Sequence, residues 1–150
     1  MGGGLSVTAD YDVATLKSMG DSHYRYDQFY EAIFFYASAL SKIETKADLV
    51  GGLGNSGGKL YYSVSRDGHH VVQIDKETVV KLYGNRSAAY ARSGSYQKAL
   101  DDAIHAIEVD PFYPKGYFRA AKAVLELSGE ERSTEAMEIG RAHVRTPVTS

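Results

Sequence analysis

The sequence contains no cysteine and no tryptophan. Without cysteine it has no disulfide framework and no thiolate metal site, a composition that suits a reducing compartment. It also lacks a basic excess. The formal net charge is −2 and the pI is near 6.2, whereas a nucleic-acid binder presents a basic face. No apolar run approaches the ~20 residues that span a bilayer. No signal-peptide core is present either, so the expected location is the cytoplasm or the nucleus.

What is present fits a globular domain. The 150 residues are 43% hydrophobic, and twelve tyrosines supply most of the aromatic surface. The N-terminus reads MGGGLS, which fits both a flexible glycine-rich start over 1–11 and the N-myristoylation pattern M-G-x-x-x-[ST]. Only Lys17 follows nearby as a base. A single acyl chain without a polybasic patch holds a membrane weakly, so no membrane contact is expected unless the lipid is attached.

The far end is of a different kind. IGRAHVRTPVTS, residues 139–150, resembles the conceptual translation of a short-read sequencing adapter. The expectation is a non-native tail on a fragment that stops near Glu138. Such a segment stands outside fold reasoning, and its removal takes away Arg141 and Arg145 and no acid.

Two stretches repeat one pattern. KSMGDSHYRYDQFYEAIFFYASAL runs from Lys17 to Leu40, and LYGNRSAAYARSGSYQKALDDAIHAI from Leu82 to Ile107. Each has two helical halves around a polar break. Phe29 and Ala32 precede Ala39-Leu40 as Tyr96 and Ala99 precede Ala106-Ile107. Small residues at fixed spacing let helices approach, and large ones fill the space between them. Pro111 closes the second unit, because proline cannot continue a helix. A third unit, KGYFRAAKAVLEL, opens directly, and Tyr83 to Tyr117 is 34 residues.

That period and pattern resemble the tetratricopeptide repeat (TPR). The resemblance implies an all-α fold, a solenoid of helical hairpins. Repeat 1 covers about 12–44, repeat 2 about 77–112 and a partial repeat 3 about 113–138. In the third, SGEERSTE (128–135) reads as an insertion that separates two helices. Residues 45–76 interrupt the array: GGLGNSGG is a flexible tether by composition. Leu60–Ser65 and His69–Ile74 then read as two strands around Arg66-Asp67-Gly68. Such a hairpin is marginal alone and must lean on the helices.

Within the family, LKSMGD, LYGNRSAAYA and PKGYFRAA resemble the carboxylate-clamp subfamily of co-chaperones. There, five positions converge on the C-terminal carboxylate and last acidic side chain of a heat-shock chaperone tail. Lys17, Asn85, Lys115 and Arg119 match four of the five. Asp21 stands where the family carries asparagine. Residues four apart share a helix face, and cations with an amide on one wall give charge-assisted hydrogen bonds to a carboxylate. Ala88 and Arg92 continue the Asn85 face as groove lining. Asp21 is the departure: it repels a bound carboxylate and can pair with Lys17 instead. Arg86 is expected to hydrogen-bond toward the adjacent repeat, and Asp101 and Asp102 to sit on a solvated outer face.

The resemblance implies a non-catalytic adaptor without cofactor, docking an acidic chaperone tail. Two alternatives stand beside it. One is a TPR scaffold that binds an internal peptide or a subunit without a working clamp. The other is the TPR part of a truncated phosphatase or prolyl isomerase. No other chemistry is legible. His69 and His70 are adjacent and face opposite sides of a strand, and His23, His105 and His143 show no ligand spacing, so no metal is expected. GGLGNSGG lacks the Gly-Lys-Ser/Thr ending of a phosphate loop.

Overall fold

A computed structural model describes residues 8–47 and 58–145. The myristoylation pattern, nearly all of the glycine tether and residues 146–150 of the tail lie outside the described residues. The chain forms α1 (Val13–Arg25), α2 (Phe29–Ser41), β1 (Glu44–Ala47), β2 (Lys59–Val64), β3 (Val71–Ile74), α3 (Lys76–Arg92), α4 (Tyr96–Val109) and α5 (Pro114–Arg145).

Local chemistry sets these boundaries. Asp12 and Asp75 cap α1 and α3, each carboxylate accepting from a backbone N–H three residues on, at 2.7 Å. The turn into α2 passes through Asp27 at φ 58°, and the turn into α4 through Gly94 at φ 84°, the left-handed geometry that ends helices. Pro114 opens α5, where its missing N–H costs nothing. Residues 8–11, expected to be flexible, form a turn whose Ala9 carbonyl accepts from Lys42 Nζ at 3.0 Å.

α1 and α2 form one antiparallel hairpin, α3 and α4 a second that stacks on it, and α5 packs on α4. The buried faces follow helical spacing: Val13, Leu16 and Gly20 on α1, Ala32, Tyr36 and Ala39 on α2, Ala99, Ala103 and Ala106 on α4. Gly20 permits the closest approach. A Cβ there would lie 2.5 Å from Tyr36 Cε1, so only glycine lets the Tyr36 ring cross α1.

Between α3 and α4 lies a buried ion pair. Arg86 Nε and Nη2 each donate to an Asp102 carboxylate oxygen at 2.7 Å. Asp102 is only 4% exposed, which corrects its expected solvated position: it follows Ala99 by three residues and so shares the α3-facing side. Arg86 correspondingly bonds within its own hairpin and not toward the adjacent repeat. Burial alone would lower its pKa, but the Asp102 hydrogen bond and charge outweigh burial and hold it above the ordinary value.

The insertion is a three-stranded antiparallel sheet in the order β1-β2-β3, with Glu44 opposite Tyr62 and Tyr61 opposite Ile74. The expected hairpin is present, its first strand shifted by one residue and its second shortened to four. β1 is an addition: ETKA carries no strand pattern of its own, and it pairs because the second edge of β2 offers unsatisfied backbone groups. Tyr61 is buried and Ile74 packs on the core shared by the first hairpin and α3, so the sheet leans on the helices.

α5 departs from expectation. SGEERSTE does not separate two helices; the helix runs from Pro114 to Arg145 without a break. Glu, Arg, Ala and Leu are strong helix formers, and no proline intervenes before Pro147. A Cβ at Gly129 would meet nothing within 4 Å. The third unit is therefore one long helix without a hairpin partner among the described residues.

Candidate peptide-binding groove

The side chains of interest stand on α1, α3 and α5, the opening helix of each unit. Lys17, Asp21 and Arg25 lie at successive turns of α1; Asn85, Ala88 and Arg92 run along α3; Lys115, Arg119 and Lys122 run along α5. Two adjoining cavities lie between them. The first, about 200 Å³, is bordered by Asp21, Arg25, Tyr36, Asn85 and Arg119. The second, about 310 Å³, is bordered by Arg92, Lys115, Phe118 and Lys122. Tyr24, Ala88 and Arg119 line both, so the two form one groove.

The structure thus brings Asn85, Ala88, Arg92, Lys115 and Arg119 to a common groove. Lys17 is not among its lining. It lies behind Asp21, in a recess shared with Asp75, Glu77 and Lys81.

Asp21 organises this end. Its Oδ2 accepts from Lys17 Nζ at 2.8 Å, and its Oδ1 accepts from the Tyr36 hydroxyl at 2.6 Å and from Asn85 Nδ2 at 3.0 Å. Burial, and next the Asp21 hydrogen bond, hold the Tyr36 phenol far above its ordinary pKa, so it remains a proton donor. The groove is cationic elsewhere. Among the described residues no carboxylate lies within ion-pair distance of Arg25, Lys115, Arg119 or Lys122. Arg92 is only loosely engaged, 3.4 Å from Asp27 Oδ1 at the surface and over the Phe29 ring at 4.7 Å.

Arg119 owes its position to Gly84. Its Nη1 donates to the Tyr113 hydroxyl at 3.1 Å, and a Cβ on Gly84 would approach that nitrogen to 2.6 Å. Sequence reasoning passed over Gly84, Tyr36, Tyr24, Arg25 and Lys122. Arg25 and Lys122 carried a usable signal, since at steps of four and three residues they continue the helix faces begun by Lys17 and Lys115. Tyr36 did not, because a core tyrosine reads the same whether or not its hydroxyl has a partner.

No metal-holding group of acidic, histidine or cysteine side chains occurs among the described residues. Nor is any helix there long and apolar enough to cross a membrane.

Stacked helical hairpins with a groove along their opening helices define a helical-repeat interaction module. No family model matches the chain. Its relatives and structural neighbours specify the kind of repeat. It is 39% identical to mouse tetratricopeptide repeat protein 28 over 74 residues, which is 49% of this chain and 3% of that protein. It is 53% identical to human serine/threonine-protein phosphatase 5 over 45 residues, 30% of this chain and 9% of the phosphatase. A Dictyostelium discoideum DnaJ homolog subfamily C member 7 homolog is 32% identical over 72 residues, 46% of this chain and 13% of that protein. The chain therefore spans a small part of these relatives. The Arabidopsis OM64 TPR domain superposes with a TM-score of 0.52 at 22% identity, covering 92% of this chain and 85% of that one. The fold is a TPR-type helical-hairpin solenoid with a small sheet inserted between its first two hairpins, and these matches support a TPR protein-interaction module.

Proposed function

We propose that this module is a co-chaperone-like adaptor whose groove docks the acidic C-terminal peptide of a heat-shock chaperone, in the cytoplasm or the nucleus. One observation carries the reading. Lys115 and Arg119, with no ion-pair partner among the described residues, border one groove with Asn85 and Ala88. A groove with unneutralised cations and a small, apolar floor fits a peptide that ends in carboxylates next to an aliphatic side chain. Arg119 can hold a carboxylate through two N–H groups, while Lys115 adds a point charge. The resemblance of LYGNRSAAYA and PKGYFRAA to the clamp subfamily supports a chaperone tail as that peptide.

The engagement of Asn85 and Lys17 by Asp21 favours a second reading, a scaffold that takes an internal peptide segment. The third, the interaction part of a longer phosphatase or isomerase, would leave the groove's role unchanged. Titration with an acidic peptide, free or amidated at its C-terminus, separates the first two. The adaptor loses most of its binding on amidation, and the scaffold keeps it.

A further inference from the structure

We infer that the carboxylate-binding centre of this groove is displaced one helical turn along α1, with Arg25 and Arg119 taking the terminal carboxylate in place of Lys17 and Asn85. The inference rests on the reading of the groove as a carboxylate site.

The Lys17 end is already filled by a carboxylate of the chain itself. Asp21 accepts hydrogen bonds from Lys17, Tyr36 and Asn85 at 2.8, 2.6 and 3.0 Å. One N–H each of Lys17 and Asn85 and the Tyr36 hydroxyl are committed to Asp21, and the Lys17 charge is offset by it. A second carboxylate arriving there would meet the negative charge of Asp21 and a lysine whose charge Asp21 already offsets. Lys17 also faces a recess bordered by Asp75 and by the Glu77–Lys81 ion pair, so a further acid, Asp75, stands on that side.

One turn on, the cavity that Asp21 borders at one end also carries two cations with no carboxylate partner among the described residues. Arg25 follows Asp21 by four residues and so shares its face of α1. It borders the same cavity as Arg119, which enters from α5, with Tyr24 and Ala88 as walls. Neither guanidinium has a carboxylate partner among the described residues. Two such groups around one small cavity suit a single carboxylate, because each can donate two N–H bonds in its plane.

Asn85 takes a different part. A carboxylate can only accept, so the contact with Asp21 orients the amide with Nδ2 toward it and leaves Oδ1 free to accept. Among the described residues Oδ1 accepts no hydrogen bond. It suits a backbone N–H of the ligand, not its carboxylate.

The test is a titration of an acidic C-terminal peptide, free or amidated, against the intact chain and two variants. Arg25→Gln, at an exposed position, is expected to weaken the free-acid peptide about tenfold, the size of one lost charge-assisted hydrogen bond. It should leave the amidated peptide unchanged. Lys17→Met should change the free-acid affinity by less than about twofold, with its thermal melt recorded to confirm folding. If Arg25→Gln binds the free acid as the parent does, the displacement is wrong, and a large loss in Lys17→Met would return the site to its family position. If the parent itself binds both peptides equally, the carboxylate reading of the groove fails instead.

Discussion

Asn85 Nδ2 donates to Asp21 Oδ1 across 3.0 Å, joining α3 to α1 between residues 64 apart in the chain. The bond is both a tie between hairpins and a competitor of any ligand. Asp21→Asn removes the charge, returns a donor to the site and frees Lys17. The expected result is a gain of about fivefold to tenfold in affinity for a free-acid peptide, equivalent to roughly 1–1.4 kcal/mol. Calorimetric titration measures it, and an unchanged or weaker affinity would count against the role given to Asp21.

The Arg86–Asp102 pair holds α3 to α4, and neither group can be removed alone without stranding the other. Arg86→Met is expected to cost about 3–5 kcal/mol by leaving an uncompensated buried carboxylate. The double variant Arg86→Met, Asp102→Leu should recover most of that loss, since an apolar pair of similar volume can replace a buried ion pair. Urea denaturation of the parent and the two variants gives both numbers. Equal instability of single and double variants would show that the pair stabilises by more than mutual neutralisation.

Two glycines make a matched comparison. A Cβ on Gly20 meets Tyr36 Cε1 and Cδ1 at 2.5 and 2.7 Å, deep in the core. Gly20→Ala should therefore destabilise by about 1–3 kcal/mol through overpacking. On Gly84 the same atom meets the mobile end of Arg119 at 2.6 Å. Gly84→Ala should shift the guanidinium and weaken peptide binding more than it lowers stability. Melting curves and titrations on both variants decide whether the two effects separate in this way.

Acid should weaken the helix starts. The Asp12 and Asp75 carboxyls lie below the usual 3.8, first because of side-chain and then backbone hydrogen bonds with Thr15 and Thr78. A carboxylate whose folded pKa is depressed stabilises the fold fully above its unfolded value. That contribution is lost as pH falls through the lower folded value. Asp12→Ala and Asp75→Ala should each cost about 1 kcal/mol at neutral pH. Against the parent, that difference should shrink once the pH drops below 3.8. Melting temperatures recorded from neutral pH into acid follow it.

Beyond Ala123, α5 buries no side chain among those described. A helix segment without a packed face depends on its own marginal propensity. Amides of residues 129–138 should exchange with solvent much faster than those of 116–123. Truncation after Glu138 should alter stability by no more than about 0.5 kcal/mol. A larger loss would mean that the tail packs on the domain.

Much of the architecture was legible because small residues at fixed spacing leave a strong periodic trace. Ala32, Ala39, Ala99 and Ala106 mark the helix contacts directly. β1 was invisible because its pairing comes from β2's free edge and not from its own residues. The uninterrupted α5 was hidden because repeat spacing and helix propensity disagree there: Glu130, Glu131 and Arg132 favour helix whatever the period. Asp102 was misplaced for the opposite reason: an acidic residue signals solvent unless its cation is known to be adjacent. In the groove, the faces bearing Asn85, Lys115 and Arg119 could be read from i, i+4 spacing. The contacts among Asp21, Tyr36 and Asn85 could not, because they depend on how two hairpins meet.

The inserted sheet also bears on the order of assembly. The first hairpin is separated from α3 by 34 residues, between Ser41 and Lys76. Closing that loop costs roughly 2 kcal/mol more than closing a turn of three or four residues, from about three doublings at ~0.6 kcal/mol each. The unit α3–α4–α5 is contiguous and rich in local contacts, which form fastest. The α1–α2 hairpin is therefore the later unit to dock and the first to open, a ranking that native-state hydrogen exchange reads directly. Since α1 is one wall of the groove, the groove exists only while that docking equilibrium holds it shut.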